Sequence, residues 1–256
     1  MGKKVKGVLV IVLCIAFFSS VALIMQALAG YRMTDSLYEE SAEKYTAQKE
    51  ADTPENREEA RTAPITVDFE ELRRVNEDVA GWIYCEGTVI NYPVMHGADN
   101  DFYLDHTYDK APNRAGSIFI EALNAPGFAD SNTILYGHHM KNGSMFATLR
   151  NWADQEYYEE HPEFWLLTPD QDYRILLFSG YTTSAASGTY AVFQGPGPEF
   201  EEYLRVTCAN SDFSADVEPD PNAKFVLLST CEYVFEDARY VLHGMLVPCG
   251  TPADNP

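Results

Sequence analysis

Cys231 and Arg239 are the residues whose types and spacing best suit nucleophilic chemistry in this sequence. They lie in the segment Lys224–Val247, KFVLLSTCEYVFEDARYVLHGMLV, where an apolar strand-like run ends on the cysteine and a second such run opens on the arginine. If the two predicted strands pair as neighbours, the thiol faces a guanidinium that can stabilise an oxyanion. The alternative for Arg239 is a surface ion pair with Glu236 or Asp237.

The tandem pair His138 and His139 is the best-placed source of a base for that thiol. A cysteine reacts as its thiolate, and a free thiol has a pKa of about 8.5, so a base or a cationic partner is needed. The pair follows a strand-like run, Ile134–Tyr136, and Gly137, which breaks the strand. A histidine at such a strand end shares a rim with Cys231. The alternative is a pair of surface turn residues and a buried, inert cysteine.

The histidines do not predict a metal site. Neighbouring side chains on a strand point to opposite faces, so His138 and His139 are poorly placed to bind one ion. His243 lies inside the last predicted strand and is interpreted as a structural side chain. The sequence has no CxxC pair of the kind found in metal or redox sites, and no Gly-rich phosphate loop. We therefore expect neither a metal nor an organic cofactor.

The five cysteines leave two interpretations open. Cys14 lies in the apolar N-terminal segment, and the other four are Cys85, Cys208, Cys231 and Cys249. In an exported protein, four such cysteines could form two disulfides. Their spacings form no compact framework, so one reactive Cys231 with three buried or incidental cysteines fits equally well.

The formal charge of -21 is carried almost entirely by the part of the chain after residue 63. Residues 1–63 have 8 basic and 9 acidic side chains, a net charge of -1. Residues 64–256 have 10 basic and 30 acidic side chains, a net charge of -20. So acidic a surface repels phosphate backbones, and we expect no nucleic-acid partner. A basic or amine-bearing partner suits this surface better.

Gly7–Ala29 is an uncharged, largely apolar run of 23 residues, long enough to span a bilayer as a helix. Three lysines precede it, and the positive-inside rule makes residues 1–6 a cytoplasmic tail. A cleaved signal peptide is the alternative, because Ala27–Ala29 resembles a small-residue cleavage site. The apolar core of a signal peptide, however, is usually only about 7–15 residues long. In both cases the folded part is extracytoplasmic.

The rest of the chain predicts a stalk and a single domain. Residues 30–63 are polar and charged, and helical spacing before Pro54 indicates a helix within this stalk and linker. Residues 64–250 hold short strand-like runs separated by Gly, Pro, Asn and Asp turns, and residues 251–256 form a C-terminal tail. This pattern predicts a mostly antiparallel β-barrel or sandwich with inserted helices.

Two segments before the cysteine strand carry local predictions. Glu199–Val206 has helical composition, and Pro198 suits the first turn of a helix. Tyr190–Phe193 is short, aromatic and β-branched, which predicts a strand. The helix would therefore be inserted between two strands of the domain.

The residues around the thiol and the histidine pair resemble the signature of the sortases, which are membrane-anchored cysteine transpeptidases of Gram-positive bacteria. The resemblance rests on Leu228–Cys231, on Arg239 eight residues after the cysteine, and on Tyr136–His138 upstream. More narrowly, Tyr136–Met140, Ser144–Phe146 and the predicted helix are similar to class B sortases. The resemblance covers nearly the whole extracytoplasmic part of the chain.

This resemblance implies a fold and a set of site residues. The implied fold is mostly β, an eight-stranded sortase-type β-barrel with N-terminal helices and an inserted helix before the seventh strand. Cys231 matches the family nucleophile and Arg239 its arginine. His138, rather than His139, matches the family histidine because it follows the Tyr-Gly pair. The loop around Tyr181–Tyr190 is implied to form part of the peptide groove. The other implied groove residues are Asn100, Leu104, Tyr136, Ser229, Thr230 and Glu232.

The implied activity is a two-step acyl transfer at the outer face of the membrane. The thiolate attacks the carbonyl after a threonine in a sorting signal. An amine of the peptidoglycan crossbridge, of a lipid-linked precursor or of a pilin subunit then resolves the thioester. The implied partners are surface proteins that bear sorting signals, the amine acceptor, and the membrane through one N-terminal helix. A hydrolytic cysteine peptidase on the same scaffold and a non-catalytic, membrane-tethered binding domain are the alternatives.

Overall fold

A computed structural model describes residues 3–49, 62–231 and 236–249. The chain divides near residue 40 into two compact units, an N-terminal helical unit and a larger unit that holds the β-sheets. Most of the predicted linker after residue 49 and the predicted tail, 251–256, lie outside the described residues.

A single helix, α1, extends over 43 residues from Lys3 to Tyr45. From Ile11 onward it contains a stretch that is long and apolar enough, by length and composition, to cross a membrane, with a mean hydropathy of 2.4 over an 18-residue window. The predicted anchor, Gly7–Ala29, and the helix predicted in the stalk are therefore parts of one continuous helix.

Two short strands of the larger unit, β1 (Thr46–Gln48) and β2 (Ile65–Val67), pair with each other. Eight further strands close into a barrel: β3 (Val79–Tyr84), β4 (Asn91–Met95), β5 (Ile118–Ile120), β6 (Asn132–Tyr136), β7 (Glu163–Leu167), β8 (Tyr173–Ser184), β9 (Lys224–Cys231) and β10 (Ala238–Pro248). Their order around the barrel is β10-β8-β7-β3-β4-β5-β6-β9, and β9 pairs with β10 to complete it. In the described barrel, β4–β5 and β6–β9 are the parallel pairs and the other pairs are antiparallel. The predicted eight-stranded, mostly antiparallel barrel is confirmed.

Short α-helices and 3-10 turns connect these strands. The larger unit's α-helices are α2 (Phe69–Val75), α3 (Gln155–Glu160) and α4 (Pro198–Ala209), and the 3-10 turns are Phe102–Leu104, Pro126–Phe128, Ala147–Ala153 and Gly188–Tyr190. Asp68 caps α2 by accepting a hydrogen bond from the Glu71 N–H at 2.9 Å. The helix predicted over Glu199–Val206 is confirmed as the central part of α4, and it precedes β9, the seventh barrel strand.

The strand predicted at Tyr190–Phe193 is wrong. Tyr190 ends a 3-10 turn, and the residues after it have no regular structure. The reason is that the Asn132 side chain satisfies their backbone: its Nδ2 donates to the Ala191 carbonyl at 2.8 Å, and its Oδ1 accepts from the Phe193 N–H at 2.7 Å. A side chain therefore supplies the hydrogen bonds that a neighbouring strand would give.

Along one face of β9, the side chains change from core residues to cleft residues. Phe225 packs against α4, where its ring lies 5.5 Å from that of Phe200. Two residues further on, Leu227 is buried in a second apolar cluster. Alternate residues of a strand share a face, so Ser229 and Cys231 continue this row beyond the helix. Phe225 to Thr230 are buried, whereas Cys231 is half-buried. The strand therefore anchors in the core and ends on an accessible thiol.

Candidate active site

Cys231 and Arg239 are register partners, the first at the end of β9 and the second near the start of β10. Directly opposed residues of an antiparallel pair project to the same face, with Cα atoms about 4.5–5.5 Å apart. Both side chains are half-buried. Arg239 Nη1 donates to the Ala238 carbonyl at 2.9 Å. No ion pair joins Arg239 to Glu236 or Asp237 within the described residues.

His138 is brought to this site by β6, which runs parallel to β9 with Tyr136 opposite Ser229. The Gly137 N–H donates to the Ser229 carbonyl at 3.1 Å and extends the ladder by one residue. His138 follows at the same end of the sheet as Cys231. Its Nε2 lies 2.7 Å from the Leu104 carbonyl. A carbonyl only accepts hydrogen bonds, so Nε2 carries a proton and Nδ1 is the nitrogen free to exchange one.

His139 makes a contact that the sequence did not predict. Its Nδ1 donates to the backbone carbonyl of Cys231 over 2.7 Å. The bond ties the chain after β6 to the last residue of β9. The adjacency of two histidines after a strand end was the available signal, because neighbouring side chains there serve different faces. His138 thus meets the 3-10 turn before β5, while His139 holds the backbone of the cysteine.

A cleft of about 360 Å³ opens over these residues. Eight of the nine predicted site residues line it, and Glu232 lies outside the described residues. The eight are His138, Cys231, Arg239, Asn100, Leu104, Tyr136, Ser229 and Thr230. Residues that are far apart in the sequence, on four separate segments, therefore form one concave surface.

Tyr190 is a wall residue that the sequence prediction placed in a strand. Its hydroxyl lies 2.8 Å from Ser229 Oγ, and its ring stacks on Tyr136 with centroids 6.2 Å apart. Burial raises its pKa to about 12, so the hydroxyl stays protonated. Tyr190 follows Thr189, whose Oγ1 lies 3.0 Å from the Tyr181 hydroxyl. The segment implied by the resemblance, Tyr181–Tyr190, therefore supplies two lining residues, Ala185 and Tyr190, although its first four residues belong to β8 and not to a loop. The other lining residues without a predicted role are Asp101, Phe119 and Gly137.

Cys85, Cys249 and His243 lie in environments that suit structural rather than catalytic side chains. All five cysteines lie within the described residues and are free thiols. Cys85 is buried, which raises its pKa to about 12, and burial raises the pKa of Cys249 to about 11. His243 is fully enclosed, its ring stacked 5.4 Å from Tyr181, and burial lowers its pKa to about 3. The prediction that His243 is structural agrees with this position.

Comparisons with known proteins agree with the fold. The family model for the sortase domain matches residues 83–247. Sortase B of Listeria monocytogenes is 36% identical over 185 residues, which cover 70% of this chain and 74% of that protein.

The chain belongs to the sortase family. Two solved structures support the assignment to class B. A sortase B from B. anthracis, in complex with AAEK1, has a TM-score of 0.73 at 30% identity and covers 86% of this chain and 99% of its own. Staphylococcus aureus sortase B has a TM-score of 0.71 at 28% identity, and the match covers 84% of this chain and 99% of the S. aureus chain. The chain is therefore a class B sortase, a cysteine transpeptidase of the cell wall that acts on sorting signals and amine nucleophiles.

Proposed function

We propose that this sortase cleaves a sorting signal after a threonine, through a thioester on Cys231, and transfers the protein to an amine of the cell wall. The observation that carries the proposal is the register pairing of Cys231 with Arg239, with His138 in the same cleft. A thiol, a permanent cation and an imidazole on one concave surface are the groups that acyl transfer requires.

The first step forms the thioester. The Cys231 thiolate attacks the threonine carbonyl carbon, and the Arg239 guanidinium stabilises the oxyanion that develops. The carbon–nitrogen bond then breaks, and His138, which starts this step as the imidazolium, gives its Nδ1 proton to the leaving amine and becomes neutral. The Leu104 carbonyl supports this role, because it keeps Nε2 engaged and fixes which nitrogen faces the reaction. The products are an acyl-enzyme and a released C-terminal peptide.

The second step transfers the acyl group. An amine attacks the thioester carbon, loses a proton to His138, and the carbon–sulfur bond breaks to regenerate the thiolate. Two solved relatives support the two substrate classes: one is described as a Staphylococcus aureus sortase B–substrate complex and another as sortase B complexed with triglycine. We infer that the amine belongs to a peptidoglycan crossbridge or its lipid-linked precursor, with a pilin subunit as the other acceptor to be tested.

The peptide is proposed to lie along the cleft wall made by the groove residues. Leu104 and Tyr136 offer apolar surface, and Ser229 and Thr230 border the cysteine from the same strand. Asn100 offers one amide N–H beyond its internal hydrogen bonds. Glu232, directly after the nucleophile, is proposed to contact the same peptide.

The enzyme is proposed to be a single-pass membrane protein. The apolar part of α1 is the proposed anchor, residues 1–6 the cytoplasmic tail and residues 30–63 the stalk. The catalytic domain, residues 64–250, would then work outside the membrane, where both surface proteins and cell-wall amines are found.

Mass spectrometry of the products of a sorting-peptide library, with and without an added amine, tests the proposal. The expected product carries the amine after threonine. A free carboxylate despite added amine would make the protein a hydrolytic peptidase. Turnover that survives Cys231→Ala or thiol alkylation would refute the nucleophile. Peptide binding without turnover by the wild-type protein, unaffected by alkylation, would indicate a binding domain.

Two variants test the partners of the thiol. Arg239→Lys keeps the charge but loses the planar fork, and we expect a loss of about 10²-fold or more in kcat. His138→Ala should cost about 10²–10⁴-fold. Wild-type turnover in either variant would contradict the role given to that residue.

A further inference from the structure

Glu121 is a buried carboxylate directly behind the cleft, and the sequence assigned it no role. It follows β5 and is only 9% exposed. Its oxygens accept three hydrogen bonds, from Asn100 Nδ2 at 2.7 Å, from the Tyr136 hydroxyl at 2.9 Å and from the Leu123 N–H at 3.2 Å. Burying a carboxylate is costly unless donors compensate it. Two of the three donors belong to cleft residues.

The Asn100 side chain is clamped on both of its polar atoms. Its Nδ2 donates to Glu121, and its Oδ1 accepts from the Ala122 N–H at 2.8 Å. The amide is therefore held rigidly against the residues after β5. Asn100 precedes the 3-10 turn Phe102–Leu104, so the clamp also fixes the chain entering that turn.

The 3-10 turn Phe102–Leu104 links Asn100 to the imidazole of His138. The carbonyl of Leu104 accepts the hydrogen bond from His138 Nε2 at 2.7 Å. A path of two hydrogen bonds and the chain segment 100–104 therefore runs from Glu121 to His138.

A second path reaches the same histidine through Tyr136. The tyrosine lies two residues before His138 at the end of β6, and its hydroxyl donates to Glu121. Burial, and then the charge of Glu121, raises the pKa of this hydroxyl, which keeps it a donor. One carboxylate thus holds both the wall of the cleft and the approach to the imidazole.

We propose that Glu121 is a positioning residue of the transpeptidase reaction: it fixes Asn100 and Tyr136 in the cleft wall and, through the 100–104 segment, the ring of His138. The inference rests on the proposed roles of these residues. Glu121 itself contacts neither the peptide nor the thiol. Its contribution is the fixed geometry of groups that do.

The test compares Glu121→Ala and Glu121→Gln in the full-length enzyme in detergent, using a sorting peptide and an amine. Rates are expressed per active site, and the concentration of active sites is taken as that of folded enzyme, measured from the amplitude of cooperative thermal unfolding, so that unfolded protein does not count. A misplacement of about 1 Å costs about 10²-fold, which is the loss of kcat/KM expected for the alanine variant. We expect both a higher KM and a lower kcat.

The glutamine variant should recover most of the activity. Its Oε1 can accept from Asn100, and its amide N–H can donate to the Tyr136 oxygen, so the two bonds reform with one reversed. A purely structural role would instead leave kcat/KM per active site unchanged in Glu121→Ala.

Asp130 supplies a matched control. It is a buried carboxylate, 4% exposed, in the same β5–β6 connection, and it accepts from Asn124 Nδ2 at 2.8 Å and the Ala125 N–H at 2.7 Å. Asp130→Ala removes comparable bonds away from the cleft and should keep wild-type kcat/KM per active site. Equal losses in the two alanine variants would overturn the proposal, as would a Glu121→Ala value within roughly two-fold of wild type.

A double-mutant cycle decides the case in which Glu121→Ala does not fold. Glu121→Met keeps much of the side-chain volume but removes the hydrogen bond that Tyr136→Phe also removes, so the effects of these two changes on kcat/KM should be non-additive, whereas additivity within roughly two-fold would refute the positioning role. A failure of the proposed function can be distinguished from a failure of this inference, because in that case the wild-type enzyme itself would turn over no sorting peptide.

Discussion

Replacing Gly137 by alanine is expected to damage both stability and activity, because the new methyl group has no space. A Cβ at this position would lie 2.5 Å from Ile118 Cδ1 and 2.6 Å from Phe146 Cδ2. Carbon atoms pack best at about 3.5–4.0 Å. Ile118 and Phe146 are both completely buried, so neither side chain can move into solvent. The strain therefore falls on the core or on the backbone of residue 137.

That backbone is held on both sides. The Gly137 N–H donates to the Ser229 carbonyl, and the His138 carbonyl accepts from the Phe146 N–H, each at 3.1 Å. Overpacking a core of this kind costs about 1–3 kcal/mol. In a domain of this size that lowers Tm by roughly 2–12 °C. Because His138 is the next residue, a backbone shift of about 1 Å would also cost about 10²-fold in kcat/KM.

Thermal unfolding and peptide turnover of the purified variant measure the two effects. Gly195→Ala is the control, because Gly195 is exposed and a Cβ there would meet no atom within 4 Å. Such a surface change should stay within about 0.5 kcal/mol of wild type. A Gly137→Ala enzyme with wild-type Tm and turnover would show that the packing around residue 137 is less tight than these contacts indicate.

Three further predictions concern residues outside the proposed catalytic set. His139→Ala removes one neutral hydrogen bond to the Cys231 carbonyl, so steady-state assays should give a kcat/KM lower by roughly 5-fold, about 1 kcal/mol; a loss as large as that of the catalytic histidine would refute it. His243 has its pKa lowered by burial to about 3. The unfolded chain therefore binds a proton below about pH 6.5 that the folded state refuses, and stability present above that pH is lost as pH falls toward 3. Urea titrations should give His243→Phe a shallower acid decline, by up to about 1.4 kcal/mol per pH unit, and parallel curves would contradict this. Burial raises the pKa of Cys85 to about 12 and of Cys249 to about 11. Iodoacetamide at about pH 8 should therefore spare both thiols while Cys231 reacts, as peptide mass mapping would show; early labelling of Cys85 would contradict its burial.

The sequence predicted those parts of the site that depend on local pattern. The apolar run before Cys231 and the run after it are long enough to pair, and they do so with Arg239 opposite the cysteine. The predicted strand-like run Ile134–Tyr136 lies within β6, which begins two residues earlier at Asn132. A strand end followed by glycine leaves His138 at the same end of the sheet as Cys231 because the ladder continues only through the backbone of Gly137. Periodicity and turn chemistry are therefore sufficient for this part of the barrel.

The remaining site features depend on contacts between distant residues, which local pattern does not encode. Tyr190 has strand-like neighbours, yet the Asn132 side chain takes up the hydrogen bonds of the following backbone. Glu121 lies 21 residues from Asn100 and 15 from Tyr136, and its role follows only once β5 and β6 are adjacent. An isolated glutamate after a short strand is indistinguishable in sequence from a surface residue.

The contrast between Cys85 and Cys231 shows how one barrel holds both a buried thiol and an accessible one, the proposed nucleophile. Cys85 follows β3 and is 1% exposed, its sulfur lies near the Glu163 carbonyl at 3.6 Å, and the nearby charges of Glu163 and Glu86 add to the effect of burial in raising its pKa. Cys231 ends a strand whose earlier residues are covered by α4 and by the Tyr190 segment, and this cover stops at Ser229. Cys85 and Cys231 carry the same thiol group. The two residues differ in exposure, in the guanidinium that lies opposite Cys231 and in the imidazole near it. All three differences follow from Cys231 being the last residue of β9. The β8–β9 connection, which carries Tyr190 and α4, therefore covers the earlier residues of β9 and leaves Cys231 accessible at its end.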